Sequence, residues 1–596
     1  MDMPVEPTLL QSSDELLENI EHHFKVIAGP GAGKTRWLSN HIKNVLSKSK
    51  RLNKCRKIAC ITYTNVGVDA INKRLGDSLD KVEVSTIHSF LYKHIVKPYI
   101  FLIAEEYGLN PAKIDGHEEL VPTGGLIHTW KGQTRQPYLD DEGAIVKALC
   151  DTCWQFDDSE DNLELKFRNA WSGSVGSYSI RANSLIAYKK IFWERNQLHH
   201  DDVLYFSYTL LKKEPAISRI LRDKFPYFFV DEFQDTNPIQ TKIIKMLAEE
   251  ETIVGIIGDR AQSIYKFQGA DVKQFEEFSL QNMTSYKIEN NHRSTEEILT
   301  VLNSIRTDIS QSSPDDKHGE KPLILIGNRM EALEITKGLV GNSDVCSLSY
   351  ANVTSCEMKS EYSGIGTEDL LLKLRTVDSN RDRRKIIPAI IKGIEYARQS
   401  KFKDAIKQVA RYCRKTDNFK GQKTALNIIH KMLKNYDSYS NGGMVDFYTT
   451  LKTVINRSIS IANIRMTGTS AIKTFYEGTT YKDLILWIRY NDDDSLHRTI
   501  HKAKGDEFDN VLVVLKDNSA SFNQETKLSF LLSPDLDKEE HRVYYVALSR
   551  AQKRLFVNVP ELSDENKIKL EAIGFDVEIL ESDEAVSEQV IDTPEN

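Results

Sequence analysis

Ala28-Gly29-Pro30-Gly31-Ala32-Gly33-Lys34-Thr35 sets three glycines, a lysine and a threonine within one short stretch. Glycines let backbone N–H groups wrap around phosphates with no Cβ in the way. Lys34 supplies a cation for the outer phosphates, and Thr35 a hydroxyl of the kind that binds Mg2+. An acidic pair, Asp231-Glu232, ends the apolar run Tyr227–Val230 in "YFFVDEFQDTNPIQ". Asp231 suits a magnesium ligand acting through water, and Glu232 suits a base that orients and deprotonates an attacking water. In "TIVGIIGDRAQSIYKFQGA", Gln262 follows another apolar run and Asp259, where an amide can bond a terminal phosphate or the attacking water.

These groups need buried strands to deliver them. Val26-Ile27, Tyr227–Val230 and Ile253–Ile257 each read as a short apolar strand with polar residues at its C-terminal end, and an amphipathic helix follows from Arg36. In α/β sheets that edge is where ligands bind. The expected fold class is therefore α/β. At 596 residues the chain exceeds one core, and its 40% hydrophobic and 28% charged residues are ordinary for a globular protein. No run suits a membrane span and no secretory leader is visible, so a cytoplasmic location is expected. A net charge of −7 excludes a uniformly basic surface but not a positive groove. Cys150 and Cys153 lack the further ligands a zinc or iron–sulfur site needs, and read as two helical core cysteines.

The phosphate loop, DEFQD and GDxxQSIYxFxGA, in this order, resemble the UvrD/Rep/PcrA group of superfamily 1 DNA helicases. Thr62-Tyr63-Thr64-Asn65 is similar to that group's TFTN segment, and Ser85–Phe90 to its TFHSF. Asn291-His292-Arg293-Ser294 is similar to NYRS, Thr499–Phe508 to TxHxAKGLEF, and Glu539–Leu555 to the last signature, with Arg550. The resemblance implies two RecA-like cores, mainly parallel sheets flanked by helices, each with an inserted and mostly helical subdomain. The boundaries expected are 1–89 with 201–289 for the first core and 90–200 for its insertion. The second core takes 290–354 with 476–580, resuming through "DLILWIRY", around a short insertion at 355–475. An acidic disordered tail is expected at 581–596.

By the same resemblance, the substrate nucleotide is ATP with Mg2+, and hydrolysis moves the protein 3′→5′ on single-stranded DNA. Arg293 and Arg550 would reach the γ-phosphate, Arg550 as an arginine finger, and Glu507 would touch the ribose. Tyr63, Thr64, Asn65, His88, Phe267 and His501 would line the DNA track. Several positions depart from the group. His292 stands for a tyrosine that stacks on adenine, Gln268 for an arginine, Arg260-Ala261 for a more acidic or proline-containing pair, and Val66-Gly67-Val68 for KAA. Gln11 is the nearest N-terminal glutamine. Two readings follow. One is a DNA helicase or translocase acting on single-stranded and tailed duplex DNA, with a repair protein as partner or in anti-phage defence. The other is a DNA-sensing ATPase that licenses a partner nuclease (TOPRIM/OLD-type) in antiviral defence, as compact helicase subunits of Gabija type do. A nuclease fused after Leu555 is not expected, since about forty residues follow.

Overall fold

The computed structural model describes residues 6–580 except 54, 170, 352–353, 356–357, 359–369, 379, 414–417, 456–457, 465–469, 491–494 and 516–522. The acidic tail lies outside the described residues. Two parallel sheets dominate. The first has seven strands in the order Thr8–Leu10, Thr284–Ile288, Phe24–Ala28, Ile253–Gly258, Tyr227–Val230, Ile58–Thr62 and Val82–Thr86. The second has six, in the order His497–Thr499, Val345–Ser349, Phe508–Val514, Ala551–Val559, Leu323–Ile326 and Asp576–Ile579. Every pairing in both is parallel, and the central strands are near-continuous apolar runs because helices cover both faces.

Local sequence explains the elements that carry the chemistry. Phe24–Ala28 is buried along its length apart from Ile27, which is partly so. The helix Lys34–Lys48 buries Trp37, Leu38, Ile42 and Val45, the spacing of one helical face, and ends with Lys48 in its last turn, where a cation meets the negative end of the helix dipole. Its first turn is entered through Gly33 at φ 79°. The helix Pro238–Leu247, directly after DEFQD, is fixed by a reciprocal cap between Asn237 and Gln240.

Among the described residues, five apolar clusters form the cores. One face of the first sheet shares its cluster with the 90–200 insertion, through Phe90, Trp130, Trp193 and Phe228; the other face packs on Trp37 and Leu38. The second sheet likewise has a cluster on each face. Ala261 and Ile264, from the loop after strand Ile253–Gly258, lie in the second core's cluster, so that loop is packed into the opposite core. A fifth cluster belongs to the helical insertion alone, around Ile387, Ile391, Phe447 and Tyr481.

Two expectations change. "DLILWIRY" does not resume the second core: Tyr481–Tyr490 is a helix, and Leu484, Ile485 and Ile488 pack into the insertion's cluster. The second sheet is rejoined at His497. Cys153 is not helical but lies in the strand Thr152–Phe156, paired antiparallel with Leu163–Phe167, while Cys150 closes the helix Glu142–Cys150. No described helix is long and apolar enough to cross a membrane.

Candidate nucleotide and strand cleft

A cleft of about 1720 Å³ opens between the two sheets. Its walls include Gly29, Pro30, Gly31, Gly33, Lys34 and Thr35 from the phosphate loop. The loop is braced from the other core's side: Asn291 Nδ2 donates to Pro30 O at 2.9 Å and Gln311 Nε2 to the same oxygen at 3.0 Å. Gly31 has φ +73°, and a Cβ there would sit 2.4 Å from Asn291 Oδ1, so both backbone and space require glycine.

Opposite the loop, Thr35 Oγ1 donates to Asp231 Oδ2 at 3.3 Å. Burial, then the neighbouring Glu232, push the Asp231 carboxyl up to about 7. Burial raises Glu232 too, but the Lys34 and Lys504 ammonium groups hold it below the usual carboxylate range. Two adjacent carboxylates, Asp231 buried and Glu232 partly so, beside a hydroxyl are a hard-oxygen set, and such a set fits Mg2+. Glu232 adopts φ 54°, a left-handed conformation costly for a residue with a Cβ. Its N–H donates to Asp231 Oδ1 at 3.0 Å, and Gln234 Nε2 donates to its Oε2 at 2.5 Å.

The second core contributes the cations. Arg550 is buried; its Nη2 donates to Gln262 Oε1 at 3.3 Å and its Nε to Val546 O at 3.1 Å. Burial, then the Arg293 charge, lower its pKa to about 9. An added phosphate would offset that desolvation. Arg293 donates through Nη1 to Ser549 O at 2.9 Å and through Nη2 to Glu507 Oε1 at 2.6 Å. Glu507 is therefore engaged by Arg293, and by Gln552 at 2.8 Å. His292 lines the cleft with Nδ1 3.5 Å from Asp315.

The other end of the same cleft is aromatic. Tyr63 stacks on Tyr265 with centroids 5.0 Å apart, and its hydroxyl donates to Gln268 Oε1 at 2.6 Å. Phe267 is 56% exposed, a high value for so apolar a ring, and meets His501 of the second core edge-on at 5.2 Å. Thr64 caps the helix Asn65–Leu75 by accepting from Gly67 N, with Asn65 exposed beside it. His88 does not join them. Its ring stacks on His200 at 3.9 Å, its Nε2 is sealed without a hydrogen-bond partner, and it is not among the cleft-lining residues. His200 comes from the segment that closes the first insertion, which a local motif cannot reveal.

Sequence reasoning also passed over Lys504. Its ammonium pairs with the buried Asp235, donates to Gln262 O at 2.7 Å and lies 4.6 Å from the Tyr265 ring centroid. It thus ties DEFQD, the Gln262 loop and the aromatic end together. Its place inside "TIHKAKGDEF" was the available signal.

Fold and cleft together define a two-core P-loop protein. The family model for the UvrD/REP helicase N-terminal domain matches residues 10–282, and that for the UvrD-like helicase C-terminal domain matches residues 495–561. The chain belongs to the UvrD-like helicases, a family of enzymes. It is similar to the probable DNA helicase II homolog of Mycoplasma pneumoniae, 24% identical over 91% of this chain and 82% of that protein. Against the ATP-dependent DNA helicase PcrA of Bacillus subtilis it is 26% identical over 50% of this chain and 39% of that protein. Against the Gabija protein GajB of Bacillus cereus it is 22% identical, over 91% of this chain and 94% of that protein.

Proposed function

We propose that this chain is a cytoplasmic ATP-dependent DNA helicase or translocase that moves 3′→5′ on single-stranded DNA. One observation carries the reading: a single cleft holds a phosphate end and a strand end, and both ends are built from both cores. Gln262 meets Arg550 at one, and Phe267 meets His501 at the other. Any motion between the cores therefore changes both ends together. Lys34 and the loop N–H groups would bind the ATP phosphates, with Thr35 and Asp231 holding Mg2+. Mg2+, when bound, neutralises charge on the phosphate oxygens. Glu232, ionised beside Lys34, would take the proton of the attacking water. Arg550 and Arg293 would stabilise charge developing on the γ-phosphate. Tyr63, Phe267 and His501 would grip bases by stacking, a contact indifferent to sequence. His292 would stack on the base of the nucleotide.

The test is strand displacement on two duplexes, one with a 3′ and one with a 5′ single-stranded tail. ATP-dependent displacement of the 3′-tailed substrate alone is expected; displacement of only the 5′-tailed one would overturn the direction.

A second reading draws on the similarity to the Gabija protein GajB, which covers 94% of that protein, against 82% of the DNA helicase II homolog and 39% of PcrA. Here the same DNA-stimulated hydrolysis would license a TOPRIM/OLD-type nuclease partner, with little unwinding. Hydrolysis stimulated by DNA without displacement of either duplex, and copurification of a nuclease, would select it.

A further inference from the structure

Arg306 stands in "VLNSIRTDISQ", outside every signature motif, yet it is among the most enclosed cations of the chain. It follows the helix Glu296–Ile305 of the second core, as the residue at its C-terminal cap. From there its guanidinium crosses to the first core and pairs with Asp259, Nη2 to Oδ1 at 3.1 Å and Nη1 to Oδ2 at 3.2 Å, with both side chains sealed from solvent. The same Nη1 donates to the Tyr545 hydroxyl at 3.1 Å, on the helix Glu539–Leu548 that leads into Arg550. Asp308 takes the outer edge of the fork at 2.9 and 2.8 Å.

Asp259 is the hub of the first core's half of the phosphate end. Its Oδ2 accepts from Gln262 Nε2 at 2.7 Å, and its Oδ1 from Ala261 N at 3.1 Å. Its own N–H donates to Gln234 Oε1 at 3.0 Å, whose amide nitrogen in turn holds Glu232. Gln262 Oε1, the free end of that amide, accepts from Arg550. The bonds therefore close a loop: Arg306, Asp259, Gln262, Arg550, and back through one helix to Tyr545 and Arg306. A buried ion pair seldom adds net stability over an apolar replacement, because desolvation cancels most of the attraction. A planar fork that meets three partners at once does fix geometry, which a flexible ammonium cannot do equally.

We propose that Arg306 is a positioning residue that locks Asp259, and through it the Gln262 amide, to the helix that leads into Arg550. The glutamine and the arginine are then set against the γ-phosphate as one unit. This rests on the hydrolysis reading above.

The test measures ATP turnover by full-length variants with and without saturating oligo-dT. Arg306→Lys keeps the buried charge but loses the fork. It should leave KM for ATP within about threefold of wild type while DNA-stimulated kcat falls about tenfold. In a Gln262→Ala background the same change should cost less than about twofold, because the group it positions is already gone. Tyr545→Phe, which removes one hydroxyl and keeps the packed ring, should lower kcat in the same direction and covers the case in which Arg306→Lys does not fold. Wild-type kcat in Arg306→Lys overturns the proposal, as does wild-type kcat in Tyr545→Phe or the full tenfold loss persisting without Gln262. These outcomes leave the hydrolysis reading standing, provided wild type hydrolyses ATP. A wild-type chain without ATP turnover, with or without DNA, overturns both.

Discussion

At the scale of single residues, the roles proposed for the cleft separate binding from chemistry. Lys34 sits at the mouth of the phosphate loop, its Nζ 3.4 Å from Ala28 O, ready to exchange that carbonyl for a phosphate. Glu232 is held in a left-handed backbone by bonds from its own N–H and from Gln234. Glu232→Gln keeps the shape and removes the base, so turnover should fall roughly 10²–10⁴-fold while nucleotide binding persists. A fluorescent ATP analogue and a phosphate-release assay read the two separately. Lys34→Ala should lose both. Gly31→Ala makes a third case: its added methyl would collide with Asn291, which holds the second core's signature against the loop. Nucleotide affinity should drop, and thermal melting should show the lost brace. All of these residues except Asn291's bracing role could be read from the sequence, because loop, strand end and acidic pair are local patterns. What could not be read is what each touches: Glu507 faces Arg293, and His88 lies under His200, partners far away in the chain.

At the scale of elements, the short 3₁₀ turn Lys266–Gln268 presents Phe267 to the cleft, its exposure setting it apart from the core rings around it. Stacking of one base on an aromatic is worth roughly 1–3 kcal/mol, enough for a strand to slip during a step when it is lost. Phe267→Ala should therefore retain DNA-stimulated hydrolysis yet lose most displacement of a 3′-tailed duplex, as a gel-based unwinding assay would show. Normal unwinding by this variant would remove Phe267 from the track. Elements differ in how legible they are. The phosphate-loop strand and the helix Lys34–Lys48 follow from burial pattern and glycine placement. Whether Tyr481–Tyr490 belongs to the second core or to the insertion is not legible locally, because a short apolar run fits a buried strand and a buried helix equally. Only the insertion's own core, which Leu484, Ile485 and Ile488 complete, decides between them.

At the scale of the whole molecule, the two cores are joined by contacts that cluster on the loop Asp259–Ala270. Arg542 Nε donates to Ser263 O at 2.7 Å, Arg260 pairs with Asp537 at 2.6 Å, and Lys504 grips Asp235 and Gln262. The insertions touch as well, through the Lys385–Glu118 pair and Arg384 Nη1 donating to Val121 O at 3.3 Å. A strand laid over Phe267 of one core and His501 of the other would add its own contacts only when the cores are together. By linkage, such a ligand must favour the closed arrangement by its difference in affinity for the two states. Arg550 of the second core meets Gln262 of the first in the same way, at 3.3 Å, a contact that needs the cores together. Single-stranded DNA should therefore raise ATP turnover. Loss of both rings in Phe267→Ala/His501→Ala should shift the stimulation curve to higher DNA concentration, by more than either single change does. Because phosphate contacts release counterions, the half-point should also rise steeply with salt. Titration of oligo-dT against phosphate release at two salt concentrations measures each effect. Equal turnover across the whole titration would mean that the strand end and the phosphate end of the cleft are not coupled.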